Sequence, residues 1–123
     1  MLQAIALVML GASFGAAARF LITHFSSEIS FHHGFPYGTL IVNLVGSLLV
    51  GYVLTWSADH EHDTWRLLAA TGFCGGFTTF SAFSYETMAY LRNGAMGMML
   101  LNIVLNNCGG FVALLLGIRL HQR

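Results

Sequence analysis

The sequence predicts an all-α integral membrane protein of four spanning helices, the third broken at its centre. Three observations carry that prediction. Hydrophobic residues make up 56% of the chain and charged ones only 8%, at a mean hydropathy of +0.70, which is far too little charge to clothe a soluble globule of this size. The apolar residues gather in four windows, 4–25, 37–56, 67–91 and 95–118, each near the ~20 residues that cross a bilayer. The third window carries glycines and a polar run, Thr71 to Glu86, in the middle of an otherwise apolar stretch. Non-helical backbone at membrane depth survives only where protein or an aqueous cavity covers its polar groups, and such interruptions mark ion sites. The whole chain, 1–123, reads as one four-helix membrane domain.

The first window begins at Met1-Leu2-Gln3 without a basic flank and runs longer than a signal-peptide core, so it is read as a retained span. It carries Gly11, Gly15 and the run Ala16-Ala17-Ala18. Small residues at four-residue spacing let helices approach closely, and a packing face is the expected role. Arg19 sits just inside the end of this span, where a cation either snorkels to the interface or meets a partner. The stretch from His24 to Pro36, with Ser26, Ser27, Glu28, His32 and His33, reads as a solvated connector and not as a metal site.

The second window opens with Tyr37-Gly38-Thr39, places Asn43 a few residues in, and continues through Gly46, Ser47 and Gly51. A carboxamide inside an apolar helix must find hydrogen-bond partners. Its two N–H donors suit a helix carbonyl as readily as an anion, and both readings stand. The following run, SADHEHDT from Ser57 to Thr64, reads as a hydrated acidic loop.

In the third window Gly72, Gly75 and Gly76 put the expected break near the middle of the helix. Past it, Phe77, Phe80 and Phe83 recur at three-residue steps, flanked by Ser81, Ser84 and Thr87. Core packing explains such a ridge, and so does a path lined by electropositive ring edges. Glu86 lies ~10 Å beyond the break at 1.5 Å per residue, on the side of Arg19, and a partly buried Arg19–Glu86 pair would answer the cost of both charges. The fourth window follows the turn Arg92-Asn93-Gly94 and contains Asn102, Asn106, Asn107 and Gly109-Gly110. Three asparagines exceed what a lipid-facing helix tolerates, so part of it is expected to face protein or a wet cavity. Cys74 and Cys108 both fall inside spans, where packing is their expected role.

Five arginines and no lysine carry the positive charge. With the N-terminus on one side, Arg66, Arg119 and Arg123 flank that side, and Arg19 and Arg92 flank the other. Orientation follows the excess of such residues in short loops. A split this even gives little instruction, so insertion in both orientations is expected. Four helices also enclose little volume, which predicts an oligomer, with oppositely inserted copies paired about a twofold axis in the membrane plane. Two central breaks would meet at that axis and turn freed carbonyls toward a cation of the Na⁺ or K⁺ type.

Three stretches together resemble the small bacterial fluoride channels of the Fluc (CrcB) family along nearly the whole chain. They are Gly15-Ala16-Ala17-Ala18-Arg19-Phe20, GTLIVNLVGS at Gly38 to Ser47, and TGFCGGFTTFSAFSYE at Thr71 to Glu86. The last is the most specific. The resemblance implies an antiparallel, dual-topology homodimer that conducts fluoride passively out of the cytoplasm across the bacterial inner membrane, with no enzymatic activity. It implies a fluoride pathway through Asn43, Phe80 and Phe83, to which Ser84 and Asn106 are added here. It also implies a structural Na⁺ on the backbone carbonyls of Gly75 and Thr78; Arg19 and Glu86 are added here, from their placement, as supporting charges. Fluoride, a second copy of the chain and lipid would be its partners, and no nucleic acid. Where the family's fourth helix often offers hydroxyls, this chain has Asn106, Gly110 and Leu114, a thinner polar track. Two other classes fit the size. A dual-topology multidrug antiporter needs a titratable acid in its first helix, which this chain lacks. A non-conducting partner of a paralogous subunit is distinguished by reconstituting the chain by itself.

Overall fold

Long apolar runs leave a backbone in lipid few ways to satisfy its polar groups, and helix is the one this chain takes. The computed structural model describes residues 1–59 and 63–122, apart from the Asp59 side chain; His60, Glu61 and His62 of the acidic loop and the flanking Arg123 lie outside the described residues. In chain order the elements are α1 (Leu2–Phe25), α2 (Ser27–His33), α3 (Tyr37–Asp59), α4 (Asp63–Trp65), a π-helical segment (Arg66–Cys74), α5 (Gly75–Phe77), α6 (Phe80–Arg92) and α7 (Met96–His121). Four stretches of the described residues are long and apolar enough to cross a membrane: Leu2–Phe25, Tyr37–Ala58, Asp63–Arg92 and Met96–His121. They coincide with the four hydropathy windows and extend up to about one turn further at some ends.

One expected connector is a helix. Ser27–His33 forms α2, with Glu28 in its first turn and His32 and His33 in its last, a charge order that suits the helix dipole. Gly34 ends it in the left-handed conformation, φ 65°, which glycine adopts without a Cβ clash. At the same end of the molecule, where the Tyr90 hydroxyl donates to the Gly34 carbonyl, Gly94, φ 69°, makes the expected turn between α6 and α7.

The spans pair by alternation. α1 lies along the π-helical segment and α5, and α3 lies along α7. Glycine seams allow both contacts. A Cβ on Gly11 or Gly15 would run into the carbonyl oxygens of Leu68 or Phe73, and one on Gly76 would run into that of Ala12. In the second pair Gly51 faces the Leu114 carbonyl and Gly117 faces that of Leu48. The small residues of α1 therefore do form a packing face. Gly72 and Gly76 serve the same seam, which corrects the expectation that the glycines open the third helix.

The opening falls at two threonines instead. Thr78 (φ −79°, ψ 159°) and Thr79 (φ −149°, ψ 110°) are extended, and the helix restarts at Phe80. β-branched residues favour this conformation when their backbone groups are partnered, and α3 supplies the partner. Cys74 is buried in the core beside the seam, while Cys108 is exposed on α7, so packing within the chain accounts for Cys74 only.

Candidate functional site

Two extended residues at membrane depth need partners for backbone groups that a helix would have paired internally, and Asn43 on α3 meets both groups of Thr79. The Thr79 N–H donates to Asn43 Oδ1 at 2.8 Å, and Asn43 Nδ2 donates to the Thr79 carbonyl at 3.3 Å. One carboxamide thus does for one extended residue what a neighbouring strand does in an antiparallel ladder. Because the backbone N–H can only donate, the amide's orientation is fixed. Thr79 also caps α6, its Oγ1 accepting from the Ala82 N–H at 3.2 Å. Just before it, the Thr78 N–H and hydroxyl both donate to the Cys74 carbonyl at 2.9 Å, and the Thr78 carbonyl accepts from Arg19 Nη1 at 3.3 Å.

Asn43 continues into a series of amides. Its Nδ2 also donates to Asn106 Oδ1 at 2.9 Å, and Asn106 Nδ2 donates to the Asn102 carbonyl at 3.1 Å and its Oδ1 at 2.9 Å. Asn102 Nδ2 donates to Thr87 Oγ1 at 3.0 Å, and that hydroxyl donates to the Phe83 carbonyl at 2.7 Å. Asn102 is fully buried. Asn43, Asn106, Thr79, Ser47, Phe80 and Phe83 border a groove of about 290 Å³, which continues past Asn107 and Gly110 into a hollow of about 240 Å³. The Phe80 and Phe83 rings stand 5.6 Å apart, tilted by 52°. Phe80 is 77% exposed and Phe83 8%.

Of the residues expected on the pathway, Asn43, Phe80, Phe83 and Asn106 share this groove. Ser84 does not line it; its hydroxyl donates to the Phe80 carbonyl one turn back, at 2.8 Å. Phe77 leaves the expected ridge because the break intervenes, and it is buried and stacked on Phe73 at 5.4 Å. The Arg19–Glu86 pair does not form. Arg19 turns to the carbonyl that the break presents, and Glu86 Oε1 accepts from the Thr39 hydroxyl, which the entry to α3 brings alongside. Glu86 Oε2 is buried with no partner among the described residues. Thr79 is the site residue that sequence reasoning missed; its signal was a hydroxyl directly before a new helical run, Thr79-Phe80-Ser81-Ala82.

The two carbonyls expected to hold Na⁺ differ. An unbroken helix would aim the Thr79 N–H at the Gly75 carbonyl, but Asn43 takes that N–H, so the Gly75 oxygen is released from its helical donor. Gly75 is exposed, with open space where a Cβ would stand. The Thr78 carbonyl keeps one lone pair beyond the long Arg19 contact. Hard oxygens of this kind fit Na⁺, and two from one chain do not fill its shell.

Four apolar spans, one opened at its middle onto a groove walled by amides, hydroxyls and aromatic rings, define a multi-pass membrane protein with a polar track. Residues 6–118 match the family described as "CrcB-like protein, Camphor Resistance (CrcB)", and the chain belongs to that family. A relative from Koribacter versatilis (strain Ellin345) is 40% identical over 81% of this chain and 80% of its own length. One from Clostridium perfringens (strain 13 / Type A) is 45% identical over 81% and 79%, and one from Pyrococcus furiosus is 40% identical over 99% and 98%. All three bear the name fluoride-specific ion channel FluC, the name of a channel and not of an enzyme. The family drawn from the motifs is the family found.

Proposed function

We propose that the chain is a fluoride channel, conducting passively along the groove beside the broken third span. The relatives' name supports the ion, and the groove supports the route: one wall brings together Asn43, the Thr79 break and the Phe80–Phe83 pair. A fluoride entering the track exchanges water for amide, hydroxyl and ring-edge contacts. Larger anions neither fit nor recover their hydration energy there. The direction is outward across the bacterial inner membrane, relieving a cytoplasm in which neutral HF has crossed the bilayer and ionised.

The assembly in this reading is an antiparallel homodimer. The near-even arginine split supports insertion both ways. The released Gly75 carbonyl and the free lone pair of Thr78 support a central Na⁺, completed by the same groups of the second copy. What this chain supplies to that ion is two backbone oxygens and, one bond away, the Arg19 side chain that keeps the Thr78 carbonyl in place. The deciding experiment is fluoride efflux from liposomes containing only this protein, with chloride efflux and proton-driven organic-cation uptake measured in parallel. Fluoride efflux without either of the others is expected; folded protein that passes no fluoride overturns the proposal.

A further inference from the structure

Every donor in the series between the break and the middle of α6 points the same way. Thr79 gives its N–H to Asn43, Asn43 to Asn106, Asn106 to Asn102, Asn102 to Thr87, and Thr87 to the Phe83 carbonyl. The ends forbid the opposite sense. A backbone N–H only donates and a carbonyl only accepts, so no amide between them can turn over without leaving groups unpaired. Thr79, Phe83 and Thr87 recur at four-residue steps along α6, so the series leaves that helix, crosses α3 and α7, and returns to it. Hydrogen bonds arranged head to tail polarise one another.

Both N–H groups of Asn43 are engaged, but unequally: one reaches Asn106 Oδ1 at 2.9 Å, the other the Thr79 carbonyl at 3.3 Å. An anion arriving in the groove takes over the donor held by the longer bond, while the shorter bond keeps the amide aimed. That shorter bond depends on Asn106 being held in turn. Asn102 accepts both N–H groups of Asn106, with its carbonyl and its Oδ1.

We infer that Asn102, fully buried and off the walls of the groove, is a positioning residue for the anion path: through Asn106 it sets the orientation of the Asn43 carboxamide. The inference rests on Asn43 belonging to the fluoride pathway. Removing Asn102 would free Asn106 to rotate, and Asn43 would lose the partner that aims it, although no group touching the anion had been changed.

The test uses the full chain with ¹⁵N-labelled asparagine side chains, in detergent for spectra and in liposomes for flux. Asn102→Ala is expected to move the amide resonances of both Asn106 and Asn43 and to lower fluoride flux roughly tenfold, the scale on which supporting hydrogen bonds act at a binding site. Asn106→Ala cuts the link between Asn102 and Asn43, so adding Asn102→Ala to it should cost no further flux. Thr87→Ser keeps the last hydroxyl and should leave flux and spectra near normal, whereas Thr87→Val should move both. Asn43 resonances that stay in place in folded Asn102→Ala overturn the inference, and so do losses that multiply in the double variant. If Asn102→Ala does not fold, the Thr87→Val and Thr87→Ser pair decides by the same two readouts. The spectra need no transport, so an unaltered chain that passes no fluoride would fell the channel proposal while the Asn43 shift still decides this one.

Discussion

A carboxylate at position 43 would keep the acceptor that the Thr79 N–H uses and lose both donors, to the Thr79 carbonyl and to Asn106. Asn43→Asp is therefore expected to abolish fluoride flux through charge repulsion and also to destabilise the fold, since orphaned buried acceptors cost about 1–3 kcal/mol each. Efflux and thermal melting of the same sample check both; a stable variant with normal flux would take the residue out of the track. The two phenylalanines differ more than their spacing suggests. Phe80 is mostly exposed on the groove and Phe83 is buried, so Phe80→Ile should lower fluoride flux sharply with melting unchanged. Phe83→Ile should lower flux and in addition cost up to about 1.5 kcal/mol of packing. Near-normal flux in both would sink the ring-edge contribution. Asn43 stood out in the sequence because a carboxamide in an apolar run needs a partner. Thr79 did not, because its partner lies 36 positions away and no local pattern signals a pairing across that distance.

The hydropathy windows marked the four long helices, since span length is set by the thickness of lipid. The polar run in the third window marked a break, but its glycines placed it too early, because glycine in a membrane helix answers two needs, an open backbone or a close neighbour, and at Gly72 and Gly76 it answers the second. Gly15→Ala tests that seam: its Cβ would collide with the Phe73 carbonyl, which belongs to backbone that cannot swing aside. A loss of roughly 1–3 kcal/mol is expected, as for other overpacked contacts, and would appear as a lowered melting temperature in detergent. Gly97→Ala, with nothing within 4 Å of the added methyl, should be neutral or slightly stabilising. The fourth helix offers a complementary change. A Cβ on Gly110 would stand 3.6 Å from Ser47 Oγ, an ordinary contact beside the groove. Gly110→Ser is thus expected to fold normally, to add a hydroxyl to the thinner stretch of the track and to raise fluoride flux in liposomes.

At the scale of the whole molecule, the proposed dimer and its Na⁺ make one joint claim. Replacing Na⁺ by a large organic cation should weaken both fluoride flux and dimer retention in detergent, because carbonyls facing one another across a dry axis would lose the charge that holds them. Full flux and full retention without Na⁺ would remove the structural ion. The order of packing within one chain has a consequence for how it is made. α1 rests chiefly on the π-helical segment and α5, and α3 rests chiefly on α7, so neither of the first two spans finds its main neighbour in the other. During synthesis, the first span must wait in the bilayer with its glycine face open until Phe73 and Phe77 have left the ribosome, and the second must wait for Leu114. A pause between the two loops would leave a half-made protein whose spans have nothing to grip but each other's edges, the state in which membrane quality control would find it.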